Sequence, residues 1–256
     1  MELKSNNFTS VRYHNIFDYK LTKEELVKWQ YKKEKPSITS TKSKKRLQRE
    51  KYSKQKLKIA QKASQLIAKI PTVKFVGITG ALAMNNANKD SDIDLMIITK
   101  SGLLWTTRLF VYLFICLFGI QTRRPKNNLQ KDMLCINLWL DEEDMVWDKS
   151  DRNLYTAHEI AQIVPLVNKS NAYEKFLRCN RWILNYWPRA VKILRYKDIE
   201  LKVKTQKNFI TFFEVLAFNL QYYYMSKKIT REIVTPTRAI FHPNDWGKIV
   251  LDKLSS

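Results

Sequence analysis

Residues 80–95 read Gly80-Ala-Leu-Ala-Met-Asn-Asn-Ala-Asn-Lys-Asp-Ser-Asp92-Ile-Asp94-Leu95. Behind them, Val73 to Thr79 is a short apolar run, the pattern of a strand that ends at Gly80, and Ala81 to Asn86 has the composition of one or two helical turns. Asn88 to Ser91 is a polar turn. Asp92 to Thr99 (DIDLMIIT) starts on carboxylates and continues as an unbroken apolar run, which predicts a strand buried on both faces. Asp92 and Asp94 lie two apart on that strand, so both carboxylates point to one face, about 6–7 Å apart along the backbone. Two like charges held together at a sheet end are costly unless a cation neutralises them. Hard oxygen ligands suit Mg²⁺, which keeps several waters and bridges to substrate phosphates. Upstream, a strand ending in Thr79-Gly80 and entering a helix offers free backbone N–H groups to an anion. A carboxylate pair that can hold metal, beside a turn that can cradle phosphate, is equipment for phosphoryl or nucleotidyl transfer.

Working outward, Leu103 to Ile120 (LLWTTRLFVYLFICLFGI) is the most apolar stretch, with Arg123 and Arg124 after it. Its 18 residues touch the lower limit for a membrane span, but Thr106, Thr107 and Arg108 interrupt it, and the unbroken 12 from Leu109 match a buried helix returning over a sheet. Met133 to Leu140 (MLCINLWL) is the second strong strand. After the acidic turn at 141–144 the chain reads as helical over Asn153–Val164, Tyr173–Tyr186 (stopped by Pro188) and Phe209–Met225. Before the core, residues 8–30 read as two short helices, the second opened by Thr22 and Glu25 in a capping box. Pro36 to Ser43 reads as a linker. The expected organisation is α/β (α+β). Residues 1–42 form a small helix-turn-helix-like segment and linker, 43–150 a small mixed-sheet core with a leading basic helix, and 151–256 a helical C-terminal domain.

The chain has 46 Lys+Arg against 24 Asp+Glu, a net charge of +22, and an apolar share of 45% that excludes wholesale disorder. Three scattered cysteines make no CxxC pair, which argues against a disulfide scaffold or zinc finger, and MELKSNNFTSVRYHN lacks the apolar core of a secretory signal. A basic cytoplasmic protein is the expectation. From Lys42 to Lys62 there are ten bases and one acid, Glu50. Such a run suits a polyanion, because each neutralised phosphate releases counterions; the plainer alternative is a solvated helix face. Ala60, Ala63, Leu66, Ile67 and Ile70 recur at helical spacing, so the run should be one face of an amphipathic helix.

The central segment resembles the nucleotidyltransferase superfamily of the DNA polymerase beta type. That family has a Gly-Ser turn, a spacer and Asp-x-Asp on the next strand, and its minimal members place the aspartates twelve and fourteen residues after the glycine, as Asp92 and Asp94 stand to Gly80. The flanking pieces IFDYKLTKEEL, YTAHEIAQIVPL, NRWILNYWP and AIFHPNDWG are similar to those of uncharacterised bacterial nucleotidyltransferase-domain proteins. The resemblance implies a transferase that moves a nucleoside monophosphate from a nucleoside triphosphate, ATP by preference, to a hydroxyl of RNA, protein or a small molecule. Asp92 and Asp94 would hold Mg²⁺ or Mn²⁺. Thr79, Gly80, Ala81 and Ser91 would seat the triphosphate, and Asn137 would stand where the family has a third, catalytic carboxylate. Asp132 and Asp141, flanking that strand, are the fallback carboxylates. An acceptor such as RNA would meet Lys44, Lys45, Arg46 and Arg49. Ala81 for the family's serine, Met84 and Asn85 for Arg and Gly, and Asn137 for an acid are departures. They leave open a decayed fold that binds nucleotide or nucleic acid without catalysis. A third class is membrane association through Leu103–Ile120.

Other polar and aromatic residues carry plainer readings. His158-Glu159 reads as a helix-surface pair, His242 as a turn residue, and Trp182, Tyr186 and Trp187 as core. Tyr222, Tyr223 and Tyr224 could stack bases, but a consecutive trio on a helix faces several ways.

Overall fold

The apolar run after Asp92 forms β2 (Ile93–Thr99) near the middle of a six-stranded mixed sheet in the order β4-β1-β2-β3-β6-β5. A computed structural model describes residues 9–32, 42–123, 130–192, 212–227, 229–241 and 245–255. β1 (Val73–Ile78) runs antiparallel to β2, and β3 (Leu134–Asp141) runs parallel to it. The connection from β2 to β3 passes through α5 (Leu104–Leu117). That crossover is what a parallel pair requires. β2 is buried on both faces: Leu95 and Ile97 pack to one side, Met96 and Ile98 to the other.

The two faces carry separate helical layers. Over one lie α3 (Lys44–Ile67), the single turn α4 (Gly80–Ala83), α5 and α8 (Phe212–Ser226). Over the other lie α1 (Thr9–Ile16), α2 (Lys23–Lys28), α6 (Leu154–Gln162), α7 (Ala172–Cys179) and α9 (Trp246–Ser255). The mixed α/β architecture matches the expectation from sequence. The Thr22/Glu25 capping box is in place, and Ser43 caps α3 by accepting from the Arg46 N–H. Residues 36–41 of the expected linker, and 209–211 ahead of α8, lie outside the described residues. No helix among the described residues is long and apolar enough to cross a membrane.

The stretch after 150 differs from its helical reading, because it also supplies three strands of the same sheet. Val164 stands before Pro165, which disfavours helical backbone at the preceding residue, and β4 (Val164–Asn168) starts there, antiparallel to β1. The helix expected over 173–186 is interrupted at Asn180. Its amide donates to the carbonyls of Met145 and Phe176, and its oxygen accepts from the Trp147 N–H and Trp182 Nε1. A 3₁₀ turn, Arg181–Asn185, follows. β5 (Ile233–Thr235) and β6 (Arg238–Ile240) form a hairpin against β3. They are too short to carry a period.

Candidate active site

The turn after β1 is built around Asp94. Gly80 has φ +59°, and a Cβ there would lie 2.6 Å from Asp94 Oδ2. Only glycine lets the backbone sit this close over the carboxylate. The Thr79 N–H donates to the Asp94 carbonyl at 3.1 Å, locking turn to strand. Asn86 ends the turn, donating to the Phe17 carbonyl and accepting from Arg49 Nη1 at 3.0 Å. The segment entering Asp92 is fixed from behind by Lys56. Its ammonium is buried and donates to the carbonyls of Lys89 and Ser91 and, at 2.6 Å, to Asp132 Oδ1.

Asp94 and Cys135 are neighbours across the parallel β2–β3 ladder. Beyond them the register shifts: Leu95 pairs with Ile136 and Met96 with Leu138, leaving Asn137 as the extra residue. A bulge of this kind re-aims a side chain. Here Asn137 Nδ2 donates to Asp94 Oδ1 at 2.8 Å, and the Asn137 side-chain oxygen Oδ1 is buried with no hydrogen-bond partner. Arg123 Nη1 donates to Asp92 Oδ2 at 2.8 Å. One ligand atom each from Asp92, Asp94 and Cys135 lies within 4.8 Å of the others, a cluster able to hold a metal ion.

These residues form part of a cleft of about 600 Å³. Thr79, Gly80 and Ala81 also line it, as do Tyr155 and Glu159 from α6. Electrostatics follows from burial. The Asp94 carboxyl is pushed up to about 7, first by desolvation and then by the charge of Asp92. Glu159 is pushed up to about 8 by desolvation and then by Asp94. Burial, with both aspartates, also raises the Cys135 thiol, which stays protonated at neutral pH.

The carboxylate oxygens of Asp92 and Asp94, with the unpartnered side-chain oxygen of Asn137, fit a hard divalent cation. The thiol adds nothing to that set while it keeps its proton.

Of the residues expected at the site, Thr79, Gly80, Ala81, Asp92, Asp94 and Asn137 come together. Ser91 does not line the cleft; its hydroxyl closes the preceding turn on the Asn88 carbonyl. Asp132 pairs with Lys56, and Asp141 accepts from the Gly102 and Glu143 N–H groups, so neither fallback acid reaches the cleft. The four expected nucleic-acid contacts separate. Arg46 is buried, its guanidinium on Glu25, Glu50, Tyr19 and the Lys20 carbonyl, because that charge holds α2 against α3. It cannot meet an acceptor. Arg49 is spent on Phe17, Asp18 and Asn86, and Lys45 pairs with Asp18 at 2.6 Å. Lys44 is exposed.

His158 is not on a helix surface. It is buried against Trp29, with Nε2 3.1 Å from Nε2 of His14. His14 Nδ1 is 2.7 Å from the Ser10 carbonyl, which can only accept. The proton of neutral His14 is therefore on Nδ1, and His158 donates from Nε2. Trp187 is core, Trp182 and Tyr186 are half-buried, and Tyr222, Tyr223 and Tyr224 are all exposed. His242 lies outside the described residues.

Sequence reasoning missed Cys135, Arg123, Glu159 and Lys56. Cys135 alone left a signal, standing two before Asn137 on one strand. No protein-family model matches the chain, and no curated protein matches its sequence.

Proposed function

We propose that this chain is a metal-dependent nucleotidyltransferase moving a nucleoside monophosphate from a nucleoside triphosphate, ATP by preference, to a hydroxyl acceptor. One observation carries the reading. Asp92 and Asp94 converge beneath a glycine-only turn, with the unpartnered Asn137 side-chain oxygen beside them and a cleft large enough for a nucleotide in front. Asp92, Asp94 and Asn137 would hold Mg²⁺ or Mn²⁺. When bound, the ion supplies charge neutralisation at the phosphates and fixes their orientation.

The chain's own residues do the rest. Gly80 and Ala81 line the cleft and would present their backbone to the phosphate oxygens. Arg123, half-exposed and paired with Asp92, would turn to the triphosphate once Asp92 served as a metal ligand. The acceptor's hydroxyl proton goes to Glu159 in its ionised form, whose Oε1 is held by Gln162 Nε2 at 2.7 Å; because burial pushes its pKa up to about 8, that form is the minority at neutral pH and transfer should rise as pH approaches 8. The acceptor oxygen bonds to the α-phosphorus as the bond to the bridging oxygen breaks, and pyrophosphate leaves.

The absent hydroxyl at Ala81 and the Arg123–Asp92 pair favour a second reading, a nucleotide-binding module without turnover. Incubation with α-labelled triphosphates, Mg²⁺ or Mn²⁺, and cellular RNA and protein separates the two. Transfer should fall by about 10²–10³ in Asp94→Asn, the scale of losing one group that stabilises charge in the transition state. Nucleotide binding without transfer, equal in parent and variant, would sustain the second reading.

A further inference from the structure

The layer formed by α3, α5 and α8 has an outer surface unlike the rest of the molecule. α5 and α8 pack side by side, with the rings of Trp105 and Phe218 5.1 Å apart. Each contains a single charged residue, and both charges are turned inward. Arg108 sits among the rings of Trp105, Tyr112, Trp139 and Phe241, with Nη1 on Gln221 at 2.5 Å. Glu214 is buried and accepts from the Trp105 and Thr106 N–H groups, satisfying the start of α5. What faces outward is mostly apolar: Leu113 and Leu117 on α5, and Phe213, Leu216, Leu220 and Tyr223 on α8, each more than half exposed, with Asn219 an exposed polar residue among them. Large apolar side chains exposed in this number on two packed helices mark something the chain docks against.

The neighbouring helix identifies the partner's chemistry. α3 lies beside α5 in the same layer and turns Ala60, Ala63 and Ile67 to the sheet. Its opposite side presents Lys51, Lys54, Lys58 and Lys62, all exposed, at the spacing of one helical face. An apolar surface with aromatic residues, bordered by a row of lysines, is the pattern of an element lying in a membrane interface. A second copy of this chain fits poorly, because joining two such faces would bring like rows of lysine together in a chain of net charge +22.

We propose that the outer surface of α5 and α8 seats on an anionic lipid bilayer without crossing it, with the α3 lysines on the acidic headgroups. The inference is independent of the transferase reading, which is assayed without lipid.

The test is co-sedimentation of the full chain with vesicles of phosphatidylcholine and phosphatidylglycerol in equal parts, against phosphatidylcholine alone, at low and high salt. Binding should require the anionic lipid and weaken with salt. Lys54→Gln/Lys58→Gln/Lys62→Gln should lower affinity about a hundredfold, at about fivefold per lysine. Phe213→Ser/Leu216→Ser/Leu220→Ser should abolish binding with the circular dichroism spectrum unchanged, since all three side chains are exposed. Wild type remaining in the supernatant would overturn the proposal, as would both variants binding like the parent. A dimer dissolved by the serine variant without vesicle binding would point instead to a second copy. RNA binding lost only in the lysine variant, again without vesicle binding, would assign the stripe to nucleic acid; either result sinks the proposal.

Discussion

The two helical layers are rich in the same residue types and use them in opposite ways. Over one face, Tyr13, His14, Trp29, His158 and Trp187 form a sealed aromatic nest, with Trp29 stacked on His158 at 4.1 Å between centroids. Over the other, Phe212, Phe213, Tyr223 and Tyr224 stand in solvent. The charges invert as well. The nest is tied in by buried Arg46 on Glu25, whereas α5 and α8 hide their two charges and leave the outside bare. Aromatic content alone therefore does not mark a core. What marks it is whether the polar atoms among the rings find partners, and the nest accepts two failures, Tyr13 Oη and His158 Nδ1, neither with a hydrogen-bond partner.

The largest expected effect separates the layers directly. Trp187→Ala removes a fully buried ring whose Nε1 donates to the Leu154 carbonyl at 3.2 Å, and should cost about 3–5 kcal/mol in chemical denaturation. A cost below about 1 kcal/mol would mean that the nest is loosely packed. Next comes Arg46→Ala, which strands Glu25 and frees Tyr19. The loss should be about 3 kcal/mol, the lower end for a broken buried pair, because Glu25 keeps about a quarter of its side-chain surface exposed. Lys58→Ala, on the same helix but facing outward, should be near neutral in the same measurement.

That contrast within α3 also shows how far the sequence can be read. The ten bases from Lys42 to Lys62 look alike in composition, yet Arg46 and Lys56 are structural and Lys54, Lys58 and Lys62 are exposed. Helical spacing separates the two sets only once the inward residues are known. The centre was readable because its causes are local: Gly80, Asp92 and Asp94 lie within one hairpin, and the unbroken apolar run of β2 requires cover on both faces. Asn137 could be placed on the neighbouring strand, but the bulge that aims it at Asp94 could not. Glu159 and Lys56 reach their places through packing between elements distant in sequence, which leaves no periodic signal. β5 and β6 are three residues each, and their pairing with β3 decides their form.

The paired histidines offer a smaller test of the sealed side. Burial lowers His14 to about 4, and burial with the neighbouring His14 lowers His158 as well. In the unfolded chain both return to about 6.5. The unfolded state then binds more protons than the folded one, so their contribution to stability is present above pH ~6.5 and is lost as pH falls toward 4, at up to about 1.4 kcal/mol per pH unit for each. Asp94 and Glu159, raised to about 7 and about 8, act in the opposite direction, so the histidine share is read as the difference between parent and His14→Gln/His158→Gln. The variant's stability should decline less between pH 6.5 and 4. Parallel curves would mean that the pair is protonated in the fold.

The smallest effect belongs to the open side. Phe213→Ala deletes a ring that is 71% exposed, so in lipid-free solution it should change unfolding free energy by no more than about 0.5 kcal/mol in either direction. The comparison with Trp187→Ala then becomes quantitative, because the same class of side chain would be worth several kcal/mol on one layer and almost nothing on the other. If Phe213→Ala instead costs 2 kcal/mol or more, the ring is already covered in solution by another part of the chain or by a second copy. Adding anionic vesicles discriminates further. A partner that covers α8 only at a membrane leaves the solution value near zero and moves the difference between parent and variant into the binding step.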